Sequence, residues 1–187
     1  MPVKLLKPNR FGDDRGWFCE TYNQAKMLAL GIDTVFIQDN HSLSRPVGVL
    51  RGLHFQAPPH GQVKLVRCVR GRIWDVAVDV RAGSPTYGRW VGAELTADNG
   101  SQLYVPVGFA HGFITLEPDA EVEYKVSAFY DRDSEGGLIW NDPDLNLPWP
   151  LPPDGPVMSD KDRLLQSLAE FKSPFAYDGV PLTPLEA

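Results

Sequence analysis

Hydrophobic and polar positions alternate along most of this chain with the two-residue period of β-strands. The run Ile73–Val80 is the clearest case: Trp74, Val76, Val78 and Val80 fall on one face, Asp75 and Asp79 on the other. Gly71 precedes it and marks a turn from a strand over Val63–Arg70. The same pattern predicts strands at Trp17–Tyr22, Val35–Asp39, Val49–Gln56, Arg89–Thr96, Gln102–Val105, Gly112–Glu117 and Glu121–Phe129. Turn-forming stretches separate them, among them Arg81–Pro85, Asp98–Gly100, Pro106–Gly108 and Glu117–Asp119. Strands at such short intervals predict a mainly β sandwich or barrel. Helical pattern is scarce. Asn23 is placed to cap Gln24–Leu30, with Gly31 as the stop. Ser159 is placed to cap a second helix reaching about Phe171, with Asp162 in its first turn. Between them Pro143, Pro148, Pro150, Pro152, Pro153 and Pro156 forbid regular strand pairing and predict a stiff surface connection.

Composition narrows the class. A chain of 187 residues is expected to form one domain over 1–187 with a sizeable core. A net charge of −6 argues against general nucleic-acid binding. Cys19 and Cys68 both lie in apolar runs and read as small core residues rather than a disulfide framework. No apolar run approaches the ~20 residues of a membrane span, and the N-terminus carries no long apolar segment. A cytoplasmic protein without membrane contact is the expectation.

Candidate chemistry concentrates between Gln38 and Lys64. His54 lies on the strand Val49–Gln56, where a regular pleat aligns it with Leu50, Gly52 and Gln56. Imidazole has a pKa of ~6.5 and serves as a base near neutral pH. Lys64 shares a strand face with Val66 and Cys68; on an inner face its ammonium needs a negative partner. Tyr124 on the strand Glu121–Phe129, and Tyr130 in the same alternation just past its end, both fall on the apolar face, fitting either core packing or a proton donor with an aromatic platform. A base, a cation and a phenol together point to proton transfer beside a carbonyl. The four histidines, His41, His54, His60 and His111, contain no His-x-His pair; counting alone leaves open a two-histidine site of His54 and His111 with a carboxylate.

Several motifs together carry a resemblance. They are Phe11–Glu20, Gln38–Ser42, Val49–Gln56, Lys64–Arg67, Gly83–Gly88, Pro106–Phe113, Trp140–Pro143 and Ser159–Asp162. Over about Phe11 to Asp162 the chain resembles the dTDP-4-dehydrorhamnose 3,5-epimerase family of deoxysugar biosynthesis. The resemblance implies a cupin-type jelly-roll β-sandwich with short flanking helices, needing no metal or other cofactor. The C-terminal Pro-rich segment and helix would pack back on it. It also implies a homodimer, often with exchanged N-terminal strands, acting on a dTDP-4-keto-6-deoxysugar. By the same resemblance His54 is the base, Asp162 its carboxylate partner, Lys64 the cation at the C4 oxygen and Tyr124 the acid. Tyr130 stacks on thymine. Arg15, Arg51 and Lys161 meet the diphosphate or its neighbourhood, where guanidinium forks suit phosphate oxygens. Glu20, Gln38, Asp39, Asn40, His111 and Glu135 match further substrate contacts. An epimerase of one carbon only, a metal-dependent cupin and a non-catalytic sugar-nucleotide binder are the alternatives. One point conflicts with a regular pleat: Arg51 and His54 would face opposite ways, so either a bulge near Gly52 reconciles them or Arg51 serves a partner subunit's site.

Overall fold

A computed structural model describes residues 2–185. Its strands are β1 Lys4–Leu6, β2 Arg10–Asp13, β3 Gly16–Cys19, β4 Gln38–Ser44, β5 Leu50–Gln56, β6 Lys64–Arg70 and β7 Arg72–Asp79. They continue with β8 Trp90–Thr96, β9 Gln102–Val105, β10 Phe109–Thr115, β11 Ala120–Val126 and β12 Glu135–Gly137. Two short helices complete the set, α1 Gln24–Ala29 and α2 Asp160–Arg163. One sheet runs β1-β9-β6-β11-β4, a second β12-β5-β10-β7-β8, and β2-β3 form a separate hairpin. Every ladder among them is antiparallel. This is the mainly β sandwich the alternating pattern predicts and the cupin-like fold the resemblance implies.

The core between the sheets takes Val66 and Cys68 of β6, Leu103 and Val105 of β9 and Val122 of β11 from one side. Ile73 and Ala77 of β7, Leu95 of β8 and Phe109 and Phe113 of β10 meet them from the other. Each Val, Leu, Ile or Phe among them contributes about 1.5–3 kcal/mol when fully buried. The other face of β7, bearing Val76 and Val78, is buried as well, under Leu145, Trp149, Phe171 and Phe175 of the C-terminal segment. The proline-rich stretch is therefore a cover for the second sheet rather than a surface connection alone. With both faces of β7 occupied, Asp75 and Asp79 lie at 0% exposure inside the molecule.

Helix α1 follows its signals: the Asn23 side chain accepts the Lys26 N–H at 3.2 Å, and Gly31 at φ +75° ends it. The second helix does not extend to Phe171. Ser159 does cap it, its hydroxyl accepting the Asp162 N–H at 3.2 Å, but α2 lasts one turn. Beyond it the chain is drawn into backbone pairing, Ile139 N–H donating to Gln166 O at 2.9 Å. A ladder contact with the neighbouring sheet outcompetes helix continuation. Likewise β11 stops at Val126, so Tyr130 lies beyond the strand and is 58% exposed, not on its apolar inner face.

Candidate active site

A cavity of about 460 Å³ opens between the two sheets beneath α2, and a smaller one of about 140 Å³ adjoins it. His54, Lys64, Tyr124 and Glu135 line both. Arg51, His111, Lys161 and Asp162 complete the larger part, Gln38, Asn40 and Tyr130 the smaller.

The register of β5 explains how Arg51 and His54 share this cleft. His54 pairs with His111 of β10, whereas Arg51 pairs with Phe113, so three positions of β5 span two of β10. Opposed residues of a ladder point to one face, and His111 and Phe113 both face the interior. The extra residue turns Arg51 and His54 to the same side and sends Leu50 to the other face, into the second core. Gly52, at φ +119°, makes this possible. A Cβ there would lie 2.6 Å from both Gly112 Cα and His111 O. The bulge, not a regular pleat, sets the face of the base.

His54 is held from α2. Its Nε2 lies 2.7 Å from Asp162 Oδ1, and the Gly52 N–H donates to Asp162 Oδ2 at 3.5 Å. Burial pushes the Asp162 carboxyl up. The hydrogen bond to His54 and its charge, with help from Gly52 and Ser159, nonetheless hold it below the usual carboxylate range. This pairing orients the imidazole with Nε2 occupied and leaves Nδ1 as the other ring nitrogen.

Lys64 and Tyr124 stand on the opposite sheet. The Lys64 ammonium donates to the His54 carbonyl at 3.3 Å. Its burial lowers the pKa to about 8, against the charges of Asp75 and Glu135, which push it up. Burial raises the Tyr124 phenol; nearby Arg51 opposes this and Glu135 adds to it. Tyr124 thus keeps its proton at neutral pH.

A second histidine–carboxylate pair lies deeper. His111 Nε2 is 2.7 Å from Asp75 Oδ1, while the buried Asp75 Oδ2 has no hydrogen-bond partner. Asp75 was absent from the residues singled out by sequence. The available signal was an acidic residue alternating within the otherwise apolar strand Ile73–Val80, where a buried charge demands a partner.

At the mouth, the Tyr130 hydroxyl donates to Glu135 Oε2 at 2.8 Å, and Lys161 forms an ion pair with the same carboxylate. Burial pushes Glu135 up, but Lys161 and Tyr130 hold it below its ordinary value. Gln38 Nε2 donates to Asn40 Oδ1 at 2.9 Å.

Three expected contacts lie elsewhere in the chain. Asp39 alternates to the outer face of β4, where it pairs with Lys125 at 2.9 Å. The groove there, with His41, Arg67 and Glu123, holds the Arg67–Glu123 ion pair and a hydrogen bond between His41 and Glu121 rather than an acid–base set. Arg15 sits in the turn of the β2–β3 hairpin, bonded to Asp13, and Glu20 pairs with Lys26 at 2.7 Å. Among the described residues no three His, Cys, Asp or Glu side chains converge as a metal centre requires.

Residues 2–170 match the family model described as dTDP-4-dehydrorhamnose 3,5-epimerase. The dTDP-4-dehydrorhamnose 3,5-epimerase of Sinorhizobium fredii is 50% identical over 175 residues, 94% of this chain and 89% of its own. A crystal structure of the Bacillus anthracis dTDP-4-dehydrorhamnose 3,5-epimerase with TDP and PPi bound is 50% identical, with TM-score 0.86. The match covers 88% of this chain and 93% of that one. A Legionella pneumophila dTDP-6-deoxy-D-glucose-3,5-epimerase in complex with dTDP-4-keto-L-rhamnose is 40% identical. Its TM-score is 0.90, over 95% of this chain and 94% of its own.

Proposed function

The chain belongs to the dTDP-4-dehydrorhamnose 3,5-epimerase family, and from that premise we propose how its cleft inverts C3 and C5 of dTDP-4-dehydro-6-deoxy-D-glucose to give dTDP-4-dehydro-L-rhamnose. The chain is an isomerase, and both carbons flank the C4 ketone, which makes their protons acidic. His54 Nδ1 takes a proton from one of them as the C–H bond breaks. The electron pair passes to the C4 oxygen, where Lys64 stabilises the enolate charge. Tyr124 then delivers its hydroxyl proton to the opposite face of the same carbon. Exchange with solvent restores neutral His54 and the Tyr124 phenol. The second carbon follows by the same steps after the ring readjusts. Asp162 orients His54 and offsets the imidazolium charge. No metal or other cofactor is required, because base, acid and enolate cation all come from the chain.

The observation that carries this reading is the placement of base and acid on facing sheets. His54 belongs to β5 of one sheet, Tyr124 to β11 of the other, and one cavity lies between them. Facing sheets stand about 10 Å apart, room for a pyranose ring whose two faces meet different groups. Tyr130, with Gln38 and Asn40, receives the nucleoside, and Arg51 and Lys161 the diphosphate.

The active form is a homodimer in this reading. The β2–β3 hairpin exposes Phe11 at 62%, Trp17 at 61% and Phe18 at 70%, an apolar surface suited to a second copy. Arg15 and Glu20, remote from the cleft of their own chain, then reach the partner's cleft. The free thiols of Cys19 and Cys68 agree with a cytoplasmic enzyme. Among the described residues no helix is long and apolar enough to cross a membrane. The decisive experiment is deuterium uptake into dTDP-4-dehydro-6-deoxy-D-glucose in D2O, followed by NMR. Exchange at both C3 and C5 is expected. Exchange at only one carbon assigns a single-carbon epimerase, and none at either removes the epimerase reading.

A further inference from the structure

We propose that Ser42 reads the C2 hydroxyl of the sugar through its Oγ, a specificity-determining contact that favours 2-hydroxy over 2-deoxy nucleotide sugars. The inference deepens the epimerase reading and rests on it for the ligand and for the places of Tyr124 and Arg51.

The inner face of β4 carries Gln38, Asn40, Ser42 and Ser44, alternating with outward Asp39, His41 and Leu43. Gln38 donates to Asn40 at 2.9 Å, and Ser44 Oγ accepts from Arg51 Nε at 3.3 Å. Ser42 Oγ is buried without a hydrogen-bond partner. Of the buried polar atoms left so among the described residues, it is the one whose residue lines the larger cavity of the cleft. A buried hydroxyl without a partner is costly, so a ligand group that supplies one is favoured there. Rotation about Cα–Cβ among staggered positions lets Oγ follow such a ligand.

The other groups around the cavity are committed. Ser159 caps α2, Asp162 holds His54, and Lys161 pairs with Glu135. Proton transfer occupies His54, Lys64 and Tyr124 and leaves the ring hydroxyls without partners. Ser42 offers a neutral donor and acceptor, the match for a hydroxyl. Its place selects which one. Along β4, Asn40 opposes Tyr124 and Ser42 opposes Val122, so Ser42 is a diagonal neighbour of the acid, about 7–8 Å away. Ser44, the next inward residue, holds Arg51, assigned above to the diphosphate. Ser42 thus stands between the acid and the diphosphate contact. In the sugar, C2 is bonded to C3, a reacting carbon, and to C1, which bears the diphosphate. Its hydroxyl is the ring group that falls between them.

The test is calorimetry with dTDP, dTDP-6-deoxy-D-glucose and the 2-deoxy counterpart of that sugar nucleotide. None has a ketone, so none turns over. The parent protein is expected to bind the 2-hydroxy sugar about 2- to 13-fold tighter than the 2-deoxy one, the range of one neutral hydrogen bond. Ser42→Ala should abolish that difference while binding dTDP as the parent does. Equal affinity of the parent for the two sugars overturns the proposal without any variant. A loss in Ser42→Ala shared by both sugars, or by dTDP, overturns it and leaves Ser42 a packing residue. A preference unchanged in Ser42→Ala overturns it and gives the C2 hydroxyl to another group. If Ser42→Ala does not fold, Ser42→Cys, close in size and only a weak donor, decides: the preference must shrink, and an unchanged one overturns the proposal. Binding is measured without turnover, so failure of the epimerase reading, seen as absent deuterium exchange in the parent, remains distinct.

Discussion

Replacing Asp162 by Asn tests the dyad with little change in shape. Asp162 is 4% exposed and accepts from His54 at 2.7 Å and from Gly52 N–H at 3.5 Å. Its own N–H, capped by Ser159, is untouched by the substitution. Asn keeps the volume and one acceptor but loses the charge. The cost falls on the state in which His54 carries the abstracted proton, because the imidazolium then lacks its counter-ion. Hydrogen bonds to charged groups contribute about 1.5–3 kcal/mol, or roughly 10- to 150-fold in rate. The His54 side chain is 27% exposed, so water screens part of the pair and the lower half of that range is expected. Steady-state kcat and KM, deuterium exchange at C3 and C5, and a thermal melt are measured together. Exchange and epimerisation should fall in parallel, with KM changed little. A folded Asp162→Asn protein whose kcat stays within about threefold of the parent refutes the pairing as a catalytic device. A rise in KM alone reassigns Asp162 to binding.

His54→Ala and Tyr124→Phe should fail differently: the first abolishes exchange at both carbons, while in the second exchange outlasts net epimerisation. Losses of ~10²–10⁴-fold are expected for such groups, and normal epimerisation by Tyr124→Phe returns that residue to a packing role. Tyr130→Ala should weaken dTDP binding by about 1–3 kcal/mol, as loss of base–aromatic stacking does, with calorimetry deciding and unchanged affinity removing Tyr130 from the base site. Acid stability should depend on Asp79. Burial pushes its carboxyl up, yet Arg81, Ser84 and Thr86 hold it below its usual value, so it contributes stability present above about pH 3.9 and lost as pH falls through the folded value. Urea midpoints from pH 7 to 2 should fall less steeply for Asp79→Asn, which starts about 3–5 kcal/mol less stable because Arg81 loses its main buried partner; parallel acid arms in the two proteins contradict this.

Much of the architecture was legible in local pattern. The two-residue alternation located the central strands, because a half-buried pleat imposes that period directly. Asn23 and Gly31 marked α1, because caps satisfy orphan backbone groups within a few residues. The motif set around Gln38, His54, Lys64 and Tyr124 named most of the cleft.

Other features depended on distant chain. The face of Arg51 follows from a one-residue shift against β10, permitted by a glycine that His111 and Gly112 crowd. The end of α2 follows from pairing with Ile139, and Asp39 faces away because β4 alternates through polar residues whose one apolar member, Leu43, sits on the outer side and gives no mark of the inner one. By pattern Asp75 lay only on the polar face of its strand; that this face turns to the core between the sheets, while the C-terminal segment covers the other, was decided by packing. Sequence by itself determined the central strands and supplied the chemical groups, since propensity and side-chain type act at short range. Which face each strand presents, and which charges meet there, was decided by the packing of sheets and covering segments, because burial and electrostatic fields depend on every element brought near.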